Sequence, residues 1–338
     1  MITNQKPGET LLELINSHRI TAVISTAIKL GIPDVLAKGA QTSVGLAALC
    51  NAHEPSLQRL LLAMVTIGLC RTSNDGFELT AIGAPLASTA HPSLHDWAIF
   101  EMERVSKSWT GLVDSVRTGK TATELEGGSD RFATMARDPA AVKTFNAAMV
   151  SLTRHVVGDV LATYDFSGVT CLMDVGGGNG ELLVQILAKH PFMNGRVLDL
   201  PQCGDGARKK IVEAGLAARG QFIDGNFFDD VPPGADMIML KSVIHDWNDE
   251  RCAVILSNCR EAMPAAGRLL MIERLLSAAP DVTSVDRANA LSDLNMLRGP
   301  GGRERTEAEY RSLFAAAGLN VTRVLPAGLY GLIEAQRA

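Results

Sequence analysis

Apolar side chains recur every three to four positions through Leu11, Leu12, Ile15, Ile20, Val23, Ile24, Ala27 and Ile28, which predicts helix over 9–37, ending near Gly31-Ile32-Pro33. A helix apolar over so much of its surface is buried, in a core or against a second subunit. Residues 42–87 read as two short helices and a hairpin. Thr42-Ser43 caps the first helix, Val44–Cys50, and Pro55-Ser56 opens the second, Leu57–Ile67, which Gly68 stops. Asn74-Asp75-Gly76 then turns the chain between strands Leu69–Thr72 and Phe77–Thr80. That is a helix-turn-helix with a wing. Residues 94–163 are helical again, with loops near Gly127-Gly128 and Asp138-Pro139.

From Thr170 the pattern changes. Short apolar runs, Cys171–Val175, Arg196–Leu200, Gln221–Ile223, Met237–Leu240, Leu269–Ile272 and Val321–Leu325, alternate with helical stretches at 181–190, 204–219, 248–263 and 306–317. Leu329–Ala335, after Gly328, reads as a last strand. Strands alternating with helices predict an α/β domain, a mostly parallel sheet covered on both faces.

At 338 residues the chain exceeds the usual single domain, and a 46% hydrophobic content excludes disorder. The net charge of -5 gives no support for nucleic-acid binding by counterion release. The winged segment is itself acidic: over 41–90, Arg59 and Arg71 face Glu54, Asp75 and Glu78, which favours packing against protein over DNA. The longest apolar stretch, near Leu60–Cys70, is too short to span a bilayer, and no basic, apolar leader pattern opens the chain. Cys50, Cys70, Cys171, Cys203, Cys252 and Cys259 show no C-x-x-C spacing, so reduced thiols in a cytoplasmic protein are expected. Aromatics make up only 5%, yet Trp97, Phe100, Trp109, Phe132 and Phe145 cluster with Met102, Met135 and Met149 in the middle helices. Such a cluster is core more often than pocket, and alone it is weak evidence for a ligand.

Two motifs carry chemistry. The first, Met173-Asp174-Val175-Gly176-Gly177-Gly178-Asn179-Gly180-Glu181, runs a strand into a glycine turn and a helix, where backbone can approach a ligand closely. A dinucleotide fingerprint starting at Gly176 needs Gly or Ala at 181, where Glu181 stands, so NAD is disfavoured. Asp199 closes the next strand, placed to accept from ribose hydroxyls. Asn226 and Phe227 follow the third strand and could bond to and stack on adenine. The early third glycine and the acid favour S-adenosylmethionine. The second motif, Leu240-Lys241-Ser242-Val243-Ile244-His245-Asp246-Trp247-Asn248-Asp249, lies past a strand's carboxyl end, with Glu273 ending the next strand and Glu304 after the Gly299-Pro300-Gly301-Gly302 loop.

Together Val175-Gly-Gly-Gly-Asn-Gly180, Asp199-Leu-Pro201, His245-Asp-Trp-Asn-Asp249, Glu273 and Gly301-Gly-Arg-Glu-Arg-Thr306 resemble the S-adenosylmethionine-dependent small-molecule O-methyltransferases. That family includes plant caffeic acid and flavonoid, hydroxyindole, and bacterial polyketide and phenazine tailoring enzymes. Trp109, Arg117-Thr-Gly119 and Phe145-Asn-Ala-Ala-Met149 extend the likeness over nearly the whole chain. The resemblance implies a class I methyltransferase, a Rossmann-like sheet of seven strands with the last antiparallel, and an N-terminal helical, winged-helix-like dimerisation domain. The expected division is 1–100 for dimerisation, 101–160 for connecting helices lining the acceptor pocket, and 161–338 for the cofactor domain. It further implies Gly176, Gly178, Asp199, Leu200, Asn226, Phe227 and Lys241 as cofactor contacts, and His245 as general base flanked by Glu273 and Glu304. Trp109, Phe145, Met149, Asp246 and Met296 fall beside the acceptor. Two departures stand out: Asn226 replaces the usual Asp, and the loop before Gly301 is about one residue short.

The implied partners are a small aromatic acceptor and a second copy of the chain, with no nucleic acid, membrane or metal. A phenol near pKa 10 is protonated at neutral pH, and a histidine near 6.5 is suited to take its proton. A metal-assisted reaction with His245, Asp246 and Asp249 as ligands stays open, though adjacent His245 and Asp246 converge poorly on one ion. Also open are N- or C-methylation, a non-methylating reaction on a polycyclic substrate, and a cofactor-sensing winged-helix regulator.

Overall fold

The computed structural model describes residues 6–128 and 131–338. The chain divides into two compact units, one running to Lys107 with Ala147–Leu152 added, the other Ser108–Asn146 with Thr153–Ala338.

The first unit opens on three helices where one was expected: Pro7–Asn16, His18–Lys29 and Ile32–Leu36. The break at Gly31 follows from its left-handed backbone (φ 71°), which a helix interior excludes. Pro7–Asn16 buries none of its residues, and Leu11, Leu12, Leu14 and Ile15 are each more than half exposed. The following helices supply Ala27, Ile28, Ile32 and Leu36 to a core shared with Leu46, Leu57, Leu61 and Met64. Thr42 caps Ser43–Leu49 by accepting from the Gly45 amide, and proline in the first turn starts Glu54–Thr66. The wing is strand β1 (Cys70–Ser73) against β2 (Gly76–Leu79), with Asn74-Asp75 as the turn. Gly76 must be glycine: its φ is 119°, and a Cβ there would sit 2.2 Å from the Gln41 carbonyl oxygen.

The second unit is built on seven strands. These are β3 (Cys171–Val175), β4 (Asn194–Asp199), β5 (Gly220–Asp224), β6 (Met237–Lys241), β7 (Arg268–Glu273) and, beyond the short parallel pair β8 (Leu275–Leu276) and β9 (Arg305–Thr306), β10 (Leu319–Ala327) and β11 (Tyr330–Arg337). The order is β10-β11-β7-β6-β3-β4-β5, and only the last strand, β11, runs against the others, antiparallel to both β7 and β10, as expected. β3 and β6, buried along nearly their whole length, are the continuous apolar runs that a sheet covered on both faces requires.

Helix boundaries shift where turn chemistry overrides periodicity. The helix expected at 204–219 is Pro201–Glu213, started by Pro201 in its first turn and followed by Gly215 at φ 70°. A helix at Ser284–Arg298 was not expected at all. Its buried face carries Asn289 and Arg298 alongside Met296, so the apolar periodicity is blurred, although Thr283 caps it by accepting from the Asp286 amide.

Because β3 pairs with both β4 and β6, the chain crosses in opposite directions on its two sides. A crevice outside the carboxyl ends of the strands is the general result of such a switch. The loop Gly176–Gly180, Asp199, Asp224–Phe227, Lys241–His245 and Glu273 all sit at those ends.

Candidate active site

Gly176, Gly178 and Gly180 each have positive φ (70°, 56° and 71°), so the loop after β3 tolerates no ordinary side chain without strain. A Cβ at Gly176 would lie 2.7 Å from Val243 Cγ2, whereas one at Gly178 would meet nothing within 4 Å. The backbone is therefore packed on one side and open to a ligand on the other. Asp199 ties this loop to the next: Oδ2 accepts from the Gly178 amide (2.7 Å) and Oδ1 from the Leu200 amide (2.7 Å). Burial pushes the Asp199 pKa up, against the pull of those two amides and the Cys203 thiol.

Phe227 stands with its ring 4.9 Å from that of Phe228 and 6.4 Å from Trp247, and Asn258 Nδ2 donates to the Phe227 and Phe228 carbonyls. Asn226 Oδ1 accepts from the Phe228 amide, so this side chain shapes its own turn. Lys241, at the end of β6, donates from Nζ to Ser242 Oγ (3.3 Å). Asp174 within β3 belongs to the same floor, two residues before Gly176. Its Oδ1 is buried with no hydrogen-bond partner among the described residues, and burial raises its pKa to about 7. The open glycine loop and the orphaned carboxylate oxygen fit a cofactor that is cationic. These features match S-adenosylmethionine.

The turn after β6 is held on three sides. Ser242 adopts φ 54°, a conformation that costs a non-glycine residue roughly 1–3 kcal/mol and persists only where the surroundings enforce it. Glu273 Oε1 accepts the amides of Val243 (2.9 Å), Ile244 (2.8 Å) and His245 (3.4 Å). Arg305, fully buried, donates to the carbonyls of Ile244 (3.3 Å) and Trp247 (2.8 Å) and forms a two-pronged pair with Asp249 Oδ1. Gly302 lies flat against the same backbone, where a Cβ would be 2.1 Å from the His245 carbonyl oxygen.

His245 Nδ1 is 3.1 Å from Glu304 Oε1 and 3.4 Å from Glu273 Oε2; Ser292 Oγ also donates to Glu304 Oε1 (2.7 Å). Burial alone pushes the imidazole pKa down, but Glu273, Glu304 and Asp246 outweigh it and hold it well above 6.5. The glutamates diverge. Burial keeps Glu273 above its usual range, while at Glu304 the His245 charge and the bonds from His245 and Ser292 prevail over burial and lower it. With Nδ1 engaged by carboxylates, Nε2 is the nitrogen in no hydrogen bond among the described residues, 3.7 Å from Asp246 Oδ1.

Of the acceptor candidates, Trp109 donates its indole N–H to Asn295 Oδ1 (3.3 Å), one residue before buried Met296. Phe145 lies 6.2 Å from Phe132, which is itself 5.7 Å from Trp247. Met149 belongs to the other compact unit. The imagined ligand set His245, Asp246 and Asp249 does not assemble: both Asp249 oxygens are taken by Arg303 and Arg305. The groups that do converge are His245, Glu273 and Glu304, each with a donor atom within 4.8 Å of the others. Ser292 and Arg305 also belong to this cluster. Arg305 was visible only as a letter in the Gly301–Thr306 motif, and nothing in sequence marks Ser292.

An open α/β sheet with a glycine loop, a closing acid and a histidine at its carboxyl edge defines a class I S-adenosylmethionine-dependent methyltransferase. Family models agree: residues 109–320 match the O-methyltransferase domain and 12–89 the O-methyltransferase dimerisation domain. The chain is 36% identical over 328 residues to a phenazine O-methyltransferase of Lysobacter antibioticus, covering 96% of this chain and 95% of that protein. It is 34% identical to a mitomycin biosynthesis 6-O-methyltransferase of Streptomyces lavendulae, covering 98% and 95%. The solved structure of human N-acetylserotonin methyltransferase in complex with S-adenosylmethionine superposes with a TM-score of 0.90 over the full length of both chains at 25% identity. The chain belongs to the S-adenosylmethionine-dependent small-molecule O-methyltransferase family.

Gly302→Ala is expected to displace the His245 turn. Turnover should fall at least about tenfold, while S-adenosylmethionine affinity, measured by calorimetry, stays within about threefold. Unchanged turnover would show that the close approach of Gly302 to His245 does not position that imidazole.

Proposed function

We propose that this enzyme methylates a phenolic hydroxyl of a small aromatic or polyketide-like metabolite, with His245 as general base and no metal ion. The observation that carries this reading is the His245 imidazole, bonded through Nδ1 to a buried carboxylate, with Nε2 in no hydrogen bond among the described residues. Bound S-adenosylmethionine supplies an already activated sulfonium methyl group. Gly176, Gly178, Asp199, Leu200, Asn226, Phe227 and Lys241 hold and orient it, Asp199 fixing the loop on which the others depend. Trp109, Phe145, Met149, Asp246 and Met296 are the proposed acceptor contacts. Nε2 takes the phenol proton as its oxygen is alkylated, and Glu304 with Glu273 stabilises the imidazolium that forms. The low-polarity walls of Phe132, Phe227 and Trp247 favour a transfer in which opposite charges cancel. Similarity to enzymes of phenazine and mitomycin biosynthesis supports a polycyclic or fused-ring acceptor.

Two lines support a homodimer: the dimerisation-domain match, and the stripe of Leu11, Leu12, Leu14 and Ile15 on a helix that buries nothing within its own chain. Because the histidine is held above 6.5, it must lose a proton before it can act as base. The rate therefore rises with pH through that raised pKa.

His245→Gln should lose about a hundred- to ten-thousand-fold in turnover with cofactor affinity retained, measured with labelled S-adenosylmethionine and a panel of phenols, hydroxyindoles and phenazines. Glu304→Gln should move the acid limb of kcat/KM to lower pH, since a neighbouring negative charge is lost; a limb that stays put would remove Glu304 from the relay. Full activity is expected in excess EDTA. Loss with EDTA and recovery with magnesium would instead make His245, Glu273 and Glu304 ligands. The double substitution Leu12→Glu with Ile15→Glu should give a monomer by light scattering, and a persistent dimer would place the interface elsewhere.

A further inference from the structure

Arg131 opens the short helix Arg131–Met135 and takes no part in the chemistry described above. Its guanidinium rests on Gly299, where a Cβ would lie 2.2 Å from Nη1, so glycine at that position makes room for it. Its charge acts on Asp246, beside His245, yet no carboxylate comes within 4.0 Å of it and no hydrogen bond joins it among the described residues. The next residue, Phe132, lies 5.7 Å from Trp247 and 6.2 Å from Phe145. A cation and a flat apolar wall thus leave the same short helix.

The surroundings make this cation informative. Glu304 is drawn toward the carboxylate beside His245, so an anionic acceptor brought against it gains from a positive group nearby. Lys241 acts on Asp246 and Arg274 on Glu304, and both of these cations are engaged. Lys241 Nζ bonds to Ser242 and lies 6.0 Å from the Tyr330 ring. Arg274 bonds to Asn289 and sits 5.2 Å from the same ring. Arg131 is half-buried and bonds to no other described residue, a cost that a bound anion would offset. A planar guanidinium is also suited to a carboxylate, which it meets with two parallel hydrogen bonds.

We propose that Arg131 is an acceptor-recognition residue that binds an aromatic carboxylate, and that the preferred acceptors are hydroxylated aromatic acids whose ring lies against Phe132 and Trp247. This rests on the reading that the acceptor hydroxyl is presented to His245. The acid group is recognised away from the reacting oxygen, so Arg131 contributes to binding and leaves the rate of transfer from the bound state unchanged.

The test compares a panel of hydroxynaphthoates with the matching hydroxynaphthamides, using the wild-type enzyme, Arg131→Met and Arg131→Lys. Wild type should show a KM about tenfold or more lower for the acids. Arg131→Met should raise KM for the acids by about 10- to 100-fold, the range expected for a charge-assisted hydrogen bond, with KM for the amides and kcat for both little changed. Arg131→Lys should restore part of the acid preference. Equal effects of Arg131→Met on acids and amides would reduce Arg131 to a structural counter-charge for Asp246. Absence of acid preference in the wild type, or transfer to neutral phenols alone, would overturn the proposal. Failure of the underlying reading looks different: no phenol of any charge would be methylated, or His245→Gln would remain fully active.

Discussion

One buried carboxylate organises the reactive edge of the sheet. Glu273 ends β7 fully buried, and its Oε1 collects three successive backbone amides from Val243, Ile244 and His245. Those amides would otherwise be unsatisfied where the chain leaves β6 through the left-handed Ser242. The other oxygen of Glu273 faces the His245 ring, so a single side chain sets both the path of the loop and the charge beside the imidazole. Arg305 completes the arrangement from the carbonyl side, and Gly302 leaves no space for the loop to slip. The orientation of His245 is thereby fixed by backbone hydrogen bonds rather than by its own flexible torsions.

The charge balance follows from this geometry. Three acids surround one imidazole in a site nearly closed to water, so they do not all ionise independently. Burial keeps Glu273 and Asp246 toward their protonated forms, while Glu304, bonded to His245 and Ser292, is drawn toward the carboxylate. Pushing the pKa values of neighbouring carboxyls apart gives each a distinct role: Glu304 answers the proton on Nδ1, and Glu273 chiefly answers the backbone. At the glycine loop Asp199 plays the part that Glu273 plays here, taking two backbone amides to join loops from separate strands. Both sites use a strand-end carboxylate to hold a turn, which lets a rigid sheet position side chains belonging to mobile-looking sequence.

The strands were legible because each is a short apolar run between turn signals, and parallel strands covered on both faces leave little room for polar residues. The helix Ser284–Arg298 was not legible, since two of its three buried residues are Asn289 and Arg298, and Arg298 reaches the Ser108 carbonyl and Ser115 Oγ. Its burial depends on partners 190 and 183 residues away, which no local period encodes. The first helix was read as one because its apolar stripe is continuous, although Gly31 ends the second segment and Pro7–Asn16 stands apart with its stripe uncovered.

By itself the sequence determined the sheet, the glycine loop after β3, the family, and the residue types His245, Glu273 and Glu304, because these are carried by spacing and turn chemistry within a few residues. Only the tertiary structure decided which atoms meet. It gave His245 Nδ1 to Glu304 across 59 residues, turned Asn226 back onto its own loop, buried Arg305 beneath the turn, and stranded Asp174 Oδ1 and Arg131 without bonded partners among the described residues. The physical reason is that hydrogen bonding and desolvation depend on distances between chain segments, and those distances exist only once the sheet has closed.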